Sequence, residues 1–292
     1  MSDAGGLDEL DQRKGADQRK GADQRKGPDQ RGVLDARGGL DLSPRPGSAS
    51  FSRMVLAQAG LEARLMLRNG EQLLLAVVIP VIVLVGAVEG AHRVDLGLSH
   101  RAVDVFTPGV LALAVMSTAF TSLAIATGFE RRYGVIKRLG SSPLPRSGLL
   151  AGKIGGLLFV EVLQIAVISA VAFLLGWDPA AGGAPLALLA VVLGTAAFAA
   201  LGLFVAGVLR AEATLAAANL VYLLLLAGGA VVLPSSSYGA FGHVTPFLPS
   251  GALGDAMRQA LIDGSTAWRD LGVLLVWAAV GTVLTARTFT WE

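Results

Sequence analysis

The stretch that decides the fold is residues 149–175, LLAGKIGGLLFVEVLQIAVISAVAFLL, in which only Lys153 and Glu161 are charged. The apolar core of a bilayer is about 30 Å thick and needs roughly 20 helical residues to cross it. This stretch is long enough to cross that core and too apolar for an ordinary helix in water. We therefore expect it to form a helix that spans a membrane.

Five further apolar runs of spanning length lie on either side of this one. Only 16% of the chain is charged and 53% is hydrophobic, whereas soluble domains carry about 25% charged residues. The sequence thus predicts an all-α integral membrane protein with six transmembrane helices. The predicted spans are approximately 71–88, 105–127, 149–175, 185–209, 214–233 and 271–287.

The orientation of the spans follows from the positions of lysine and arginine, which are enriched in cytoplasmic loops. The loop 128–148, Arg210 and Arg287 together place seven basic residues on one side of the membrane, and the opposite side has four. The side with seven is therefore expected to be cytoplasmic, with both termini inside the cell. The net charge of +2 gives no reason to expect nucleic-acid binding.

Residues 1–50 differ in composition from the rest of the chain, which we treat as one transmembrane domain, 51–292. Residues 11–32 read DQRKGADQRKGADQRKGPDQRG, a polar repeat that has too little apolar surface to fold. We expect a disordered cytoplasmic tail. It could bind a partner as a tether, or it could be a repeat expansion that the protein tolerates.

Residues 51–69 have the pattern of an amphipathic helix, with Arg53, Arg64 and Arg68 on one arc. A basic amphipathic helix suits the cytoplasmic membrane interface, where arginines meet anionic lipid. The alternative is a helix that packs on the rest of the protein.

The loop 234–270 is more hydrophobic than a solvated loop should be. From Ser250, which is a good N-cap residue, the spacing of Leu253, Met257 and Leu261 predicts a short helix. The sequence therefore predicts outer helices before the sixth span that are either re-entrant or interfacial.

The segment 129–146 contains the most informative motif. Its arginines alone would set topology, but Tyr133, Val135, Ile136 and Leu139 add an apolar ridge, and the prolines after Ser142 end the pattern. A short amphipathic helix on the cytoplasmic side is a typical docking element. The string ERRYGVIKRLGSSPLP, residues 130–145, resembles the connection between the second and third spans of ABC-2 type permeases. The similarity extends over about residues 51–290, and it is greatest for the branch that exports drugs and antibiotics.

The resemblance implies a bacterial cell-membrane permease subunit that exports an amphipathic, drug-like or lipid-like compound. A separate ATPase subunit would bind ATP and Mg²⁺, and a second permease chain, identical or related, would complete the pathway. The residues expected to contact the ATPase are Glu130, Arg131, Arg132, Tyr133, Gly134, Val135, Ile136, Lys137, Arg138 and Leu139.

The chain itself is not expected to be an enzyme, because no phosphate-binding loop, catalytic group, cofactor site or metal site is legible in its sequence. Gly148, Gly152 and Lys153 only approach a G-x-x-x-x-G-K-[ST] loop, and they open a membrane span. Gly148, Gly152 and Gly156 recur every four residues, which predicts close packing against another helix.

Glu161 is the one carboxylate deep inside a predicted span, where a charge costs at least about 2.5 kcal/mol. Gln164 follows one turn later, and Asn219 lies in the fifth run. These residues could line the substrate path, or they could form polar contacts between helices. A third interpretation makes Glu161 the proton carrier of a secondary transporter driven by an ion gradient.

Overall fold

The computed structural model describes residues 49–68, 70, 74–93, 98, 100–135 and 144–288. All but the last two residues of the predicted tail 1–50 lie outside this part of the chain. The described residues are helical, without strands. Their helices are α1 (Phe51–Arg68), α2 (Ile79–Arg93), α3 (Ala102–Met116), α4 (Leu123–Arg132), α5 (Arg146–Leu174), α6 (Gly183–Val208), α7 (Ala211–Gly228), α8 (Pro249–Asp263) and α9 (Trp268–Thr288).

Two π-helical segments, in which hydrogen bonds join residues five apart rather than four, interrupt the first two predicted spans. Leu74–Val78 leads into α2, and Ser117–Ser122 joins α3 to α4. The second segment makes Ala102–Arg132 one continuous helical rod. Such insertions leave backbone carbonyls available for other donors.

Within the described residues, five helices are long and apolar enough to cross a membrane. They are the rod Ala102–Arg132 and helices α5, α6, α7 and α9. The first predicted span, 71–88, corresponds to the shorter apolar helix Ala76–Ala91. The part of the fold that is established is therefore a helical bundle with five candidate spans.

The fifth predicted run, 214–233, is longer than the helix that it forms. Helix α7 ends at Gly228, and Ala230 has a positive φ of 54°, which does not continue an α-helix. Hydropathy alone did not detect this end because the chain stays apolar through Leu233.

Helix α8 is almost wholly buried within the bundle, where it packs against α3, α6 and α9. The predicted apolar face is correct, since Leu253, Met257 and Leu261 are all buried. The predicted cap is wrong. The helix begins at Pro249 without a side-chain cap, and the Ser250 hydroxyl instead donates a hydrogen bond to the carbonyl of Gly229 at 2.8 Å.

Candidate functional site

An ion-paired junction joins three helices at the start of the basic segment 129–146, which we call the connector. The Lys153 ammonium lies 2.6 Å from Glu130 Oε1 and 3.5 Å from Glu62 Oε2. These side chains belong to α5, α4 and α1, respectively, and all three are less than a quarter exposed. Gln58 donates a further hydrogen bond to Glu62 at 2.9 Å. The junction therefore links the end of the second predicted span to both α1 and α5.

The glycine stripe of α5 faces α1. A Cβ atom added at Gly152 would lie 2.4 Å from Gln58 Cγ, and one added at Gly156 would lie 2.6 Å from Glu62 Cβ. At Gly148 the nearest atoms would be those of Leu144 and Phe51. Only residues without a side chain allow the two helices to approach this closely. Helix α1 thus packs along α5, while its three arginines stay exposed.

The first residues of the connector are tied to the ends of α6 and α7. Arg131 donates from Nη1 to the carbonyls of Ala206 and of Gly207, the latter at 3.0 Å, where α6 is ending. Arg132 pairs with Glu212 in the first turn of α7. Cations at a helix C-terminus are stabilised by the exposed carbonyls. These two residues, which the sequence predicted to contact an ATPase, therefore already hold neighbouring helices.

Beyond Arg132 the chain turns before it re-enters a helical conformation. Tyr133 is largely exposed and stacks on Phe129 at 6.1 Å between ring centroids. Gly134 has φ +66°, a conformation that favours glycine. The remaining predicted contact residues, Ile136, Lys137, Arg138 and Leu139, lie outside the described residues.

Glu161 is buried at mid-span and is only partly satisfied. Its side chain is 1% exposed, and the Thr195 hydroxyl of α6 donates to its Oε2 at 2.9 Å. Its Oε1 is buried and has no hydrogen-bond partner in the described part of the chain. A buried carboxylate oxygen without a donor is costly, so this position can accept a proton or a donor from a ligand.

Gln164 connects both π-helical segments to α5. Its Nε2 donates to the Ala76 carbonyl at 2.7 Å, and its Oε1 accepts from the Thr118 hydroxyl at 2.7 Å. The side chain is fully buried. Gln164 thus bonds to a backbone carbonyl of the first π-helical segment and to a side chain of the second. These two bonds hold the first three predicted spans in register.

Asn219 is separate from this buried pair. It lies on the exposed face of α7, next to Leu220, Leu223 and Leu224, each more than half exposed. The geometry therefore brings Glu161 and Gln164 together on α5 and leaves Asn219 on the surface of the bundle.

A cavity of about 590 Å³ lies between α5, α6 and α9. Its wall is mostly apolar and includes Ile154, Leu158 and Leu203, together with Thr195 and Thr285. It is in the half of the bundle that contains the Lys153 junction. Because Thr195 also donates to Glu161, its hydroxyl connects the cavity wall to the buried carboxylate.

Arg258 is the centre of a second buried polar cluster, at the other end of the bundle. Its guanidinium donates to the four consecutive carbonyls 230–233 at 2.9–3.2 Å and pairs with Asp255 at 2.8 Å. Burial lowers the pKa of the Arg258 guanidinium, and the charge of Asp255 opposes this shift. These carbonyls lie beyond the end of α7 at Gly228, in the apolar residues that the sequence assigned to the fifth run.

Sequence reasoning missed Lys153, Thr195 and Arg258 as contact-forming residues. Lys153 had a detectable signal, since a lysine near the start of an apolar run needs a partner. Thr195 and the carbonyls bound by Arg258 had none, because a hydroxyl or a peptide group acquires its role only from the fold. Within the described residues, no group of three or more histidines and carboxylates is placed to hold a metal ion.

The apolar helices and the buried polar groups between them define a multi-pass membrane protein. A comparison with protein families matches residues 99–287 to the family described as ABC-2 family transporter protein. This match covers more than half of the chain, so the chain belongs to that family, and the resemblance seen in the sequence is confirmed. No curated protein sequence matches the chain.

Proposed function

We propose that this chain is the permease subunit of an ATP-driven ABC exporter and that a separate ATPase subunit moves it. The observation that carries the proposal is the anchoring of the connector root, residues 130–132, to α1, α5, α6 and α7. Membership of the ABC-2 family implies an ATP-binding partner. ATP and Mg²⁺ are assigned to that partner, and no catalytic step to this chain.

The contacts of the connector suggest how a movement of the ATPase would be transmitted to the helices. A displacement of Glu130 would pull Lys153 on α5 and, through it, Glu62 on α1. The same displacement would act on α6 through Arg131 and on α7 through Arg132. Rigid helices that move together are a common way to switch a transporter between inward and outward access.

We assign six spans, with both termini in the cytoplasm of a bacterial cell membrane. Residues 74–93 form a continuous π- and α-helical segment of about 30 Å, at a rise near 1.5 Å per residue, which is enough for a sixth crossing. Positive charge supports the assignment of the connector to the cytoplasmic side. The arginines of α1 would then lie at the cytoplasmic interface.

A second permease chain would cover the exposed face of α7. Asn219 is the polar residue among the exposed leucines of that face, and an amide that faces lipid lacks hydrogen-bond partners. Interhelical bonds by such residues contribute about 0.6–2 kcal/mol to association in membranes. We therefore expect Asn219→Leu to weaken pairing of two chains by up to about thirtyfold, as measured by crosslinking in vesicles. The control is Val276→Ala, at an exposed position on α9. Unchanged pairing in Asn219→Leu would argue against this interface.

The transported compound would be amphipathic. The cavity between α5, α6 and α9 offers an apolar wall that includes Thr195, whose hydroxyl also binds Glu161. This combination suits a drug-like or lipid-like molecule with an apolar body and a polar or cationic end. Export rather than uptake is the direction expected of the family branch that the sequence resembles.

The proposal is tested by reconstituting the full chain, with the ATPase that co-purifies from its native membrane, into vesicles. Transport should require ATP, and charge reversal at Arg138 or Gly134→Pro should leave ATP hydrolysis but abolish transport. Arg93→Glu, an exposed arginine at the opposite end of the bundle, is the matched control. If transport persists without ATP, the proposal fails.

The alternative is a secondary transporter that uses an ion gradient, and the unpaired Glu161 Oε1 is the observation that favours it. In that case Glu161→Gln would abolish transport, and collapse of the proton gradient would do the same in the wild type. Dependence on ATP in the absence of a proton gradient would exclude it.

A further inference from the structure

A basic cavity of about 420 Å³ lies at the connector end of the bundle, distinct from the apolar cavity described above. It is bounded by the end of α4 and by the turn from α6 to α7. Its charged lining consists of Arg131, Arg132, Arg210 and Glu212. Three cations and one anion therefore face one concave space.

The charges of this cavity are only partly compensated. Arg132 pairs with Glu212, and Arg131 is fixed against the carbonyls that end α6. Arg210 is exposed and forms no ion pair with any described residue. With Arg132 paired to Glu212, the charge of Arg210 has no ion-pair partner among the described residues, which favours an anionic ligand and disfavours a cation.

The position of the cavity and its apolar border restrict the kind of anion. It lies where α4 and α6 end and α7 begins, which for helices that cross a membrane is the level of the membrane–water interface. Val208 in its wall is more than half exposed, and Leu215 continues an exposed apolar surface along α7. An anionic group bound here would therefore have apolar surface directly beside it, as the headgroup of a phospholipid has beside its acyl chains.

We propose that this cavity binds the phosphate headgroup of an anionic phospholipid, with Arg132 and Arg210 as the principal contacts and an acyl chain along Val208 and Leu215. Basic pockets between transmembrane helices are typical sites for anionic headgroups. The site would link the ends of α4, α6 and α7, and it does not depend on the transport cycle proposed above.

The test is a lipid titration of the purified full chain in mild detergent, followed by native mass spectrometry. The probes are phosphatidylglycerol, phosphatidylcholine with the same acyl chains, and inorganic phosphate. Phosphatidylglycerol should bind most tightly. Arg132→Ala and Arg210→Ala should each weaken it by roughly fivefold, the effect expected for one arginine near an anionic headgroup. Glu212→Gln should strengthen binding, because it removes the anion that competes for Arg132.

The matched control is Arg287→Ala, which removes an exposed arginine at the end of α9, outside the cavity. Equal affinities for the two lipids would overturn the proposal, as would effects at Arg132 and Arg210 no larger than that of the control. Binding of inorganic phosphate as tight as that of phosphatidylglycerol would overturn the assignment to a lipid. If the variants lost the co-purifying ATPase but kept phosphatidylglycerol affinity, these arginines would belong to the subunit interface instead.

Discussion

Replacing Lys153 with methionine should destabilise the bundle more than any other single change at the connector. The ammonium is 2.6 Å from Glu130 and 3.5 Å from Glu62. At an effective dielectric constant near 20, these separations correspond to gross attractions of about 6 and 5 kcal/mol. Desolvation of the three groups offsets most of this attraction, so the net stabilisation is much smaller.

The measurable quantity is the loss in the free energy of unfolding when the two carboxylates are left without their cation. Removal of one partner from a buried pair costs about 3–5 kcal/mol. Because the three side chains are 13–22% exposed, water screens part of the repulsion, and we expect about 3 kcal/mol, the low end of that range. Lys153→Arg keeps the charge and should lose much less.

The assay is equilibrium unfolding of the full chain in detergent, with the combined variant Lys153→Met, Glu62→Gln and Glu130→Gln as the decisive control. This triple variant removes all three charges and should recover most of the lost free energy of unfolding. If Lys153→Met were as stable as the wild type, the ion-paired junction would not contribute as argued. If the triple variant were as unstable as the single one, packing of the lysine side chain rather than charge would explain the loss.

Three further predictions concern other parts of the bundle. Gly156→Ala should cost about 1–3 kcal/mol through overpacking against α1. Gly86→Ala, where an added Cβ meets nothing within 4 Å, should cost nothing, because alanine favours a helix more than glycine does. Equal unfolding free energies of the two variants would contradict the close packing of α1 on α5. Arg258→Met should cost about 3–5 kcal/mol, because it removes the donor of four carbonyls and the cation beside Asp255. A thermal-shift loss no larger than that of the exposed Arg93→Met would refute this role. Glu161→Gln should keep ATP-driven transport in vesicles, since we assign the energy to the ATPase. If the variant lost transport and transport by the wild type did not require ATP, the ion-gradient alternative would be supported.

The apolar runs predicted the three most continuous spans well. The predicted runs 149–175, 185–209 and 271–287 correspond to Arg146–Leu174, Gly183–Val208 and Trp268–Thr288. Each of these helices is a long apolar segment whose ends coincide with turn residues or charges. Local sequence was enough to locate them because lipid selects for length and hydrophobicity alone.

The contacts that depend on distant residues could not be predicted in this way. Arg258 lies thirty residues beyond the end of α7, and only the fold brings its guanidinium to the carbonyls 230–233. Likewise, Arg131 looked like a free docking cation, but it binds the carbonyls at the end of α6. Apolar periodicity contains no information about which backbone groups a buried guanidinium will reach.

The central claim is that a separate ATPase subunit binds the connector. Site-specific crosslinking tests it most directly. The chain has no cysteine, so Tyr133→Cys, at an exposed connector position, introduces a single reactive thiol. In transport-active inside-out vesicles, this thiol should crosslink to the ATPase subunit, whereas Phe241→Cys, which is also exposed and lies in the loop that we propose to face outward, should not. An active complex in which Phe241→Cys forms the adduct and Tyr133→Cys does not would contradict the account.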